Sequence, residues 1–386
     1  MSDTATPKVV PDDVRPPSFR SQAFAISMVT VAFLIMGAVC GAMVWPMERY
    51  QSAPGRAQDV MPRLTITGAD IPLYPPERGI DFVTALGTRL TPLQAFMGWV
   101  DPYVNVLTCE QRFGTCDLQL NKELQLGSMA TAKEIAAFAA LTYLGIEATL
   151  EEGPAQVAGF DGELCPDDAP SRRACRVLEV GDVITTIDVG GGSVTIDKVS
   201  QLGEVLATAK PGDVARMTVR SITPPSDERT VEVELLASPE DPNRTLIGFN
   251  PRDTRTVSLP FDIDIDTDRI GGPSAGFAFA FSLIDLLSAG DLVPDGGLAA
   301  TGTIDADGQI GPIGLLVQKT IAVKQSGLRY FLVPVAQGEK EIEEARRAGG
   351  SDVQIIPVAT LAEAIEKMAE LSGVALPSRD GSATAA

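Results

Sequence analysis

The sequence predicts a mixed α+β / α/β protein carried on a single N-terminal transmembrane helix, and three observations predict it. Ala23 to Trp45 is apolar apart from Ser27 and Thr30, which is long enough to cross a bilayer as a helix. Between Ile146 and Leu236 the chain breaks into short β-type runs, namely Ala155 to Phe160, Val183 to Ile187, Ala215 to Val219 and Val231 to Leu235. From about Thr245 to Ala375 strand-like and helix-like runs alternate, the pattern of an α/β or α+β domain.

Taken in order, residues 1–22 are rich in proline and aspartate and read as a disordered cytoplasmic tip. The span at 23–45 reads as an uncleaved anchor, because Trp45-Pro46-Met47-Glu48 comes after it where a signal peptide would have small residues. Gly37-Ala38-Val39-Cys40 is a poor lipoprotein box, late in the run and with Gly37 in place of a larger aliphatic residue. Residues 46–145 hold a Pro-containing linker or extended arm over Gln51 to Pro76, a strand at Ile80 to Leu86 and a helix at Ala130 to Leu144 ended by Gly145. The β-rich domain occupies 146–244. In the domain at 245–375, strand Leu259 to Asp266 leads into helix Ser274 to Ser288, and hairpin Ala299 to Ile313 into helix Leu315 to Gln325. Strand Tyr330 to Val333, helix Glu339 to Ala348, strand Val353 to Ile356 and helix Leu361 to Leu371 complete it, and 376–386 is a disordered tail.

Composition removes several function classes. With 51 acidic against 31 basic residues the formal charge is -20, which disfavours any broad grip on phosphate backbones, so nucleic acid is not an expected partner. The chain has no histidine, which excludes a Ser-His-Asp triad, a Cys-His dyad and the usual zinc sites. Asp262, Asp264, Asp266 and Asp268 suggest a calcium loop, but Thr267 takes the turn-glycine position and Pro273 that of the terminal acid. Alternation instead puts Phe261, Ile263 and Ile265 on one strand face and the acids on the other, so no metal is expected. Orientation cannot be read from basic residues, since Lys8, Arg15 and Arg20 before the span are matched by Arg49, Arg56 and Arg63 after it. Cys109 with Cys116 and Cys165 with Cys175 form two local pairs, and short disulfide loops suit an oxidising exterior; the alternative is four free buried thiols in a cytosolic domain.

Two segments carry candidate chemistry. Gly271-Gly272-Pro273-Ser274-Ala275-Gly276 stands where a strand gives way to a helix, which puts Ser274 in a first turn whose N–H groups lack intrahelical acceptors. Gly272 and Gly276 let a substrate backbone approach, Pro273 presets the helical φ, and the free donors suit an oxyanion; an ordinary small-residue helix start has the same composition. Further on, Gly311-Pro312-Ile313-Gly314 opens a helix that carries Lys319 among Leu315, Leu316, Thr320 and Ile321. Apolar neighbours would desolvate the amine and lower its pKa, whereas a solvated lysine such as Lys324 would keep its charge.

Together these segments resemble the proteolytic domain of the Lon family, whose Ser-Lys dyad lies in a G-P-S-A-G motif and a later P-I-G-G-x-x-x-K motif. The resemblance implies Ser274 as nucleophile and Lys319 as base. Thr301-Gly302-Thr303-Ile304 matches the family's T-G-x-I strand, which implies that Thr301 approaches the amine. The sequence departs at Gly271, where ATP-dependent relatives usually carry an acid, and at Leu315, which replaces the second glycine of the later motif. No G-x-x-x-x-G-K-[ST] occurs, so ATP-driven unfolding is not expected of this chain. Leu178 to Asp188 and Ala209 to Asp213 resemble a PDZ domain, with Glu151-Glu152-Gly153-Pro154 at its carboxylate-binding loop, where two acids would repel a chain end. The combination is similar to the membrane-bound, PDZ-containing Lon-like proteases of bacteria. It implies a cofactor-free, ATP-independent serine endopeptidase for unfolded or flexible protein segments, single-pass in the bacterial cell membrane with its C-terminal domains extracytoplasmic. It further implies a homo-oligomer, commonly a hexamer. The alternative is a catalytically silent PDZ/Lon-like scaffold or adaptor in a membrane complex.

Overall fold

The computed structural model describes residues 19–377, apart from 114–115, 117, 161–163, 167, 222–226, 239–240 and 243. Most of the expected tip and tail lies outside the described residues. A helix runs from Phe19 to Val44, and its window Ile26–Val44 is long and apolar enough to cross a membrane, with none of it buried against the rest.

Beyond that helix the chain enters a six-stranded sheet at once. The stretch from Gln51 is therefore no linker: Tyr50–Asp59 is a strand lying between Ile80–Leu86 and Asn105–Leu107, antiparallel to both. Pro54 stands opposite Ala85, beyond the last residue paired with Asn105–Leu107, and the register shifts just after it, between Pro54 and Ala57. From Ile80–Leu86 the sheet continues in parallel through Leu298–Ala300, Tyr330–Pro334 and Gln354–Val358. Three of its six strands thus precede residue 108 and three come after residue 297.

Side chains alternate across this sheet with the period of two that extended backbone imposes. Ile80, Phe82, Leu298, Ala300, Leu332 and Ile356 pack with helices Leu118–Tyr143, Gly276–Leu287 and Leu361–Ser372. Val83, Ala299, Phe331, Val333 and Ile355 face the other way, towards helices Leu316–Gln325 and Glu339–Gly349. Phe82 and Phe279 meet edge to face with centroids 5.6 Å apart. The helix expected from Ala130 starts at Leu118, because Gly127 and Ser128 lower the propensity of a stretch that tertiary packing nevertheless keeps helical. Asp262–Ile265 pairs with Leu64–Thr67, burying Phe261 and Ile265 and exposing Asp262, Asp264 and Asp266, as the alternation requires.

A second sheet runs in the order Glu228–Glu234, Val214–Arg220, Val183–Val189, Ala155–Phe160, Phe249–Asp253, with Gly192–Thr195 beside Val183–Val189. Helix Val199–Thr208 closes over its separate core of Ile184, Ile187, Met217 and Val219. Its last strand lies beyond the expected boundary at 244. The cavity beside the helix is lined by Thr245 to Pro251 and not by Glu151 to Pro154; Glu151 sits in a strand and Glu152 accepts a hydrogen bond from Ser200 Oγ. This unit interrupts the first one. Thr149–Glu151 on the way in pairs with Thr256–Ser258 on the way out, forming a two-stranded neck. Cys109 is bonded to Cys116 and Cys165 to Cys175, with Cα atoms 5.2 and 6.3 Å apart.

Candidate active site

Ser274 lies in a single 3₁₀ turn, Pro273–Ala275, and the α-helix proper begins at Gly276. Its side chain is half-buried at the floor of a cleft. The preceding glycines are explained by how the chain passes helix Leu118–Tyr143. Gly272 adopts φ 90°, and its N–H donates to Gln125 O at 2.8 Å. A Cβ there would fall 2.9 Å from Gln125 Oε1, and one at Gly271 2.7 Å from Gln125 Cβ. At Gly276 a Cβ would meet Ile304 Cγ2 at 3.2 Å, so that glycine serves close packing inside the fold.

Lys319 projects from the first turn of helix Leu316–Gln325. Its Nζ lies 2.6 Å from Ser274 Oγ and 3.0 Å from Thr301 Oγ1, with the residue only 4% exposed. Desolvation lowers the pKa of the amine from 10.5 to about 7, because burial penalises the charged form. Thr301 is fully buried; its hydroxyl donates to Ser274 O at 3.1 Å, and the N–H of Gly302 donates to the same oxygen at 2.9 Å. Two donors therefore pin the serine carbonyl while the hydroxyl stays free to face the amine. Leu315, the helix N-cap, has φ 65° and ψ 39°, a left-handed conformation natural to glycine. The departure from the later motif is thus a leucine holding a glycine's backbone geometry.

The cleft has a volume of about 690 Å³. Arg56, Arg112 and Arg269 line it together with Gln125, Ser274 and Lys319, and among the described residues no Asp or Glu does. None of Gln125 and the three arginines was singled out for the site from sequence. They come from four separate segments, and only Arg269, five positions before Ser274, is near a motif. Chemically, the arrangement joins a hydroxyl to an amine that can be neutral near pH 7, which nucleophilic acyl transfer needs where no imidazole is present.

Residues 268–370, which contain Ser274, Thr301 and Lys319, match the Lon protease (S16) C-terminal proteolytic domain. The chain therefore carries a C-terminal proteolytic domain of the Lon-protease family, distantly related to its named relatives. The Lon protease of Helicobacter pylori is 27% identical over 189 residues, 46% of this chain and 22% of that protein. That of Azospirillum brasilense is 28% identical over 181 residues, covering 46% and 20% respectively. That of Trichlorobacter lovleyi is 33% identical over 106 residues, covering 28% and 13%. The chain spans about a fifth or less of the length of these relatives. A PDZ domain of an SdrC-like protein from Listeria monocytogenes aligns with 25% of this chain and 86% of that domain, at 21% identity and a TM-score of 0.20, which carries no argument about fold.

Proposed function

We propose that the protein is an ATP-independent, membrane-anchored serine endopeptidase in which Lys319 activates Ser274. The observation that carries the reading is the 2.6 Å separation of Lys319 Nζ from Ser274 Oγ around an amine whose pKa burial lowers to about 7. In the neutral amine, one N–H donates to Thr301 Oγ1, whose own proton goes to Ser274 O, which leaves the nitrogen lone pair for the serine proton. Lys319 takes that proton as Oγ adds to a peptide carbonyl and returns it to the departing amine; water then resolves the acyl-enzyme with Lys319 as base again. The N–H of Ser274 opens its turn without an acceptor inside it and suits the developing oxyanion.

Three arginines around the cleft, in a chain of net charge -20, favour flexible segments that carry Asp or Glu beside the scissile bond. The absence of a phosphate-binding G-x-x-x-x-G-K-[ST] supports cleavage without nucleotide. Helix Ile26–Val44 supports a single anchor, and the two disulfides support an oxidising, extracytoplasmic side for the domains beyond it. The β-rich unit reads as a PDZ-like receptor, its cavity lying between helix Val199–Thr208 and edge strand Phe249–Asp253, where an extended segment can add to the sheet. A homo-oligomeric ring, hexameric as in the resembled family, is part of the proposal, and the mass of the solubilised particle measures it.

The test uses the full chain in detergent with an unfolded protein and no nucleotide. Cleavage is expected, and Ser274→Ala should abolish it. Cleavage that survives Ser274→Ala, or a wild type that never cleaves, sinks the enzyme in favour of a scaffold.

A further inference from the structure

Helix Pro92–Val100, sequence PLQAFMGWV, is apolar on its outer face. A capping box between Thr91 and Gln94 fixes its start. The residues it buries are the small ones, Ala95 and Gly98, and Gly98 packs so tightly that a Cβ would fall 2.9 Å from Val106 Cγ2. Its large residues, Phe96, Met97, Trp99 and Val100, are 61 to 72% exposed. A helix surrounded by water turns its large apolar side chains inward, and this one does the reverse.

Its position says what covers that face. The long apolar helix ends at Val44, and the next residue, Trp45, is 76% exposed. Met47 N–H donates to Leu90 O at 2.9 Å and Leu90 N–H to Arg49 O at 2.8 Å, so the chain entering helix 92–100 is clamped to the chain leaving the anchor. The two helices touch. We infer that helix 92–100 lies in the bilayer interface, with Phe96, Met97, Trp99 and Val100 among the lipids beside the anchor. This placement rests on the proposed membrane anchor. Lipid is favoured over a soluble partner because a residue spans at most about 3.6 Å, so the clamp holds the face within a few residues of a segment already in the membrane. Tryptophan prefers that depth, and the helix carries no charge. A chain of net charge -20 gains nothing from anionic headgroups, so the contact is apolar and works on zwitterionic lipid. Two attachments in place of one would fix the tilt of the body above the membrane.

The chain has only two tryptophans, Trp45 and Trp99, so each position can be read alone. The full chain carrying Trp45→Phe reports on Trp99, and the one carrying Trp99→Phe reports on Trp45. Both are reconstituted into phosphatidylcholine vesicles with bromine on the acyl chains near the headgroup, and retained far-ultraviolet dichroism controls for folding. The expected result is at least twofold quenching of both tryptophans by brominated lipid, with Trp99 shielded from aqueous acrylamide. Quenching of Trp45 while Trp99 stays open to acrylamide overturns the inference and leaves the anchor standing. Trp99 shielded from both quenchers overturns it in favour of a second copy as the occupant. Absence of lipid quenching at both positions removes the anchor reading and the inference with it.

Discussion

In the proposed mechanism Lys319 has to be buried to act as a base, and the same burial penalises its charged form and so the fold. Its depressed pKa predicts that cleavage rises with pH through about 7 and levels off above it, read as single-turnover rate. Lys319→Arg should lose about 10²-fold or more, since a guanidinium stays charged. Lys324→Arg, on a half-exposed residue paired with Asp352 at 2.9 Å, should change the rate by less than about twofold. The same shift sets a stability profile. Between pH 7 and 10.5 the unfolded chain holds a proton that the folded lysine has lost, so stability rises with pH in that window, and the penalty is complete below 7. It amounts to at most about 5 kcal/mol at about 1.36 kcal/mol per pH unit. Asp285 acts in the opposite window: buried, with Oδ2 unpartnered, its carboxyl is pushed up to about 7 by desolvation. The folded chain keeps that proton while the unfolded chain loses it, so stability falls as pH rises from about 4 to 7. The first penalty persists below pH 7 and the second above it, so their sum is greatest near neutrality. Lys319→Met and Asp285→Asn should each raise the melting temperature at pH 7, the first gain fading towards pH 10 and the second towards pH 4. A melting temperature lowered by Lys319→Met at pH 7 would contradict this.

Among the elements, helix Leu316–Gln325 starts on a strained residue. A left-handed leucine costs about 1–2 kcal/mol, and glycine gives back about 0.5–1 kcal/mol in chain entropy. Leu315→Gly should therefore stabilise the fold by up to about 1 kcal/mol, and the β-branched Leu315→Ile should destabilise it by about 1–3 kcal/mol, both read by urea titration. Ser274, Thr301 and Lys319 can be picked out in the sequence only through the motifs that resemble the Lon family, because taken singly a small-residue helix start and a helical lysine have ordinary readings; the structure brings the three within hydrogen-bond reach. Helices Glu339–Gly349 and Leu361–Ser372 lie within one residue of expectation, since their apolar positions repeat with helical period. Strand Tyr50–Asp59 was not legible: a bulge, Pro54, Arg56 and Asp59 blur its alternation, and only its two neighbours make it a strand. The arginine lining was hidden for a different reason, because Arg56, Arg112 and Arg269 meet only when the sheet and helix Leu118–Tyr143 bring three segments together.

At the scale of the whole molecule, the β-rich unit is an insertion in the unit that carries Ser274 and Lys319. Residues 245–377 alone lack three strands of the main sheet and helix Leu118–Tyr143, and should be insoluble or unfolded by circular dichroism. Replacing residues 152–255 with a two-residue Asn-Gly turn should do the opposite, because Glu151 and Thr256 are already cross-strand partners and every residue lining the Ser274 cleft lies outside the excised part. That shortened chain is expected to fold and to cleave small flexible peptides; loss of its secondary structure would show that the unit is not separable. The interruption also sets a clock on synthesis. Strand Ile80–Leu86 leaves the ribosome roughly two hundred residues ahead of its neighbour Leu298–Ala300, a delay on the order of ten to forty seconds at ordinary elongation rates. For that interval the growing chain presents an open strand edge bearing Phe82 and Val83, and whatever receives the nascent chain must keep that edge from other strands.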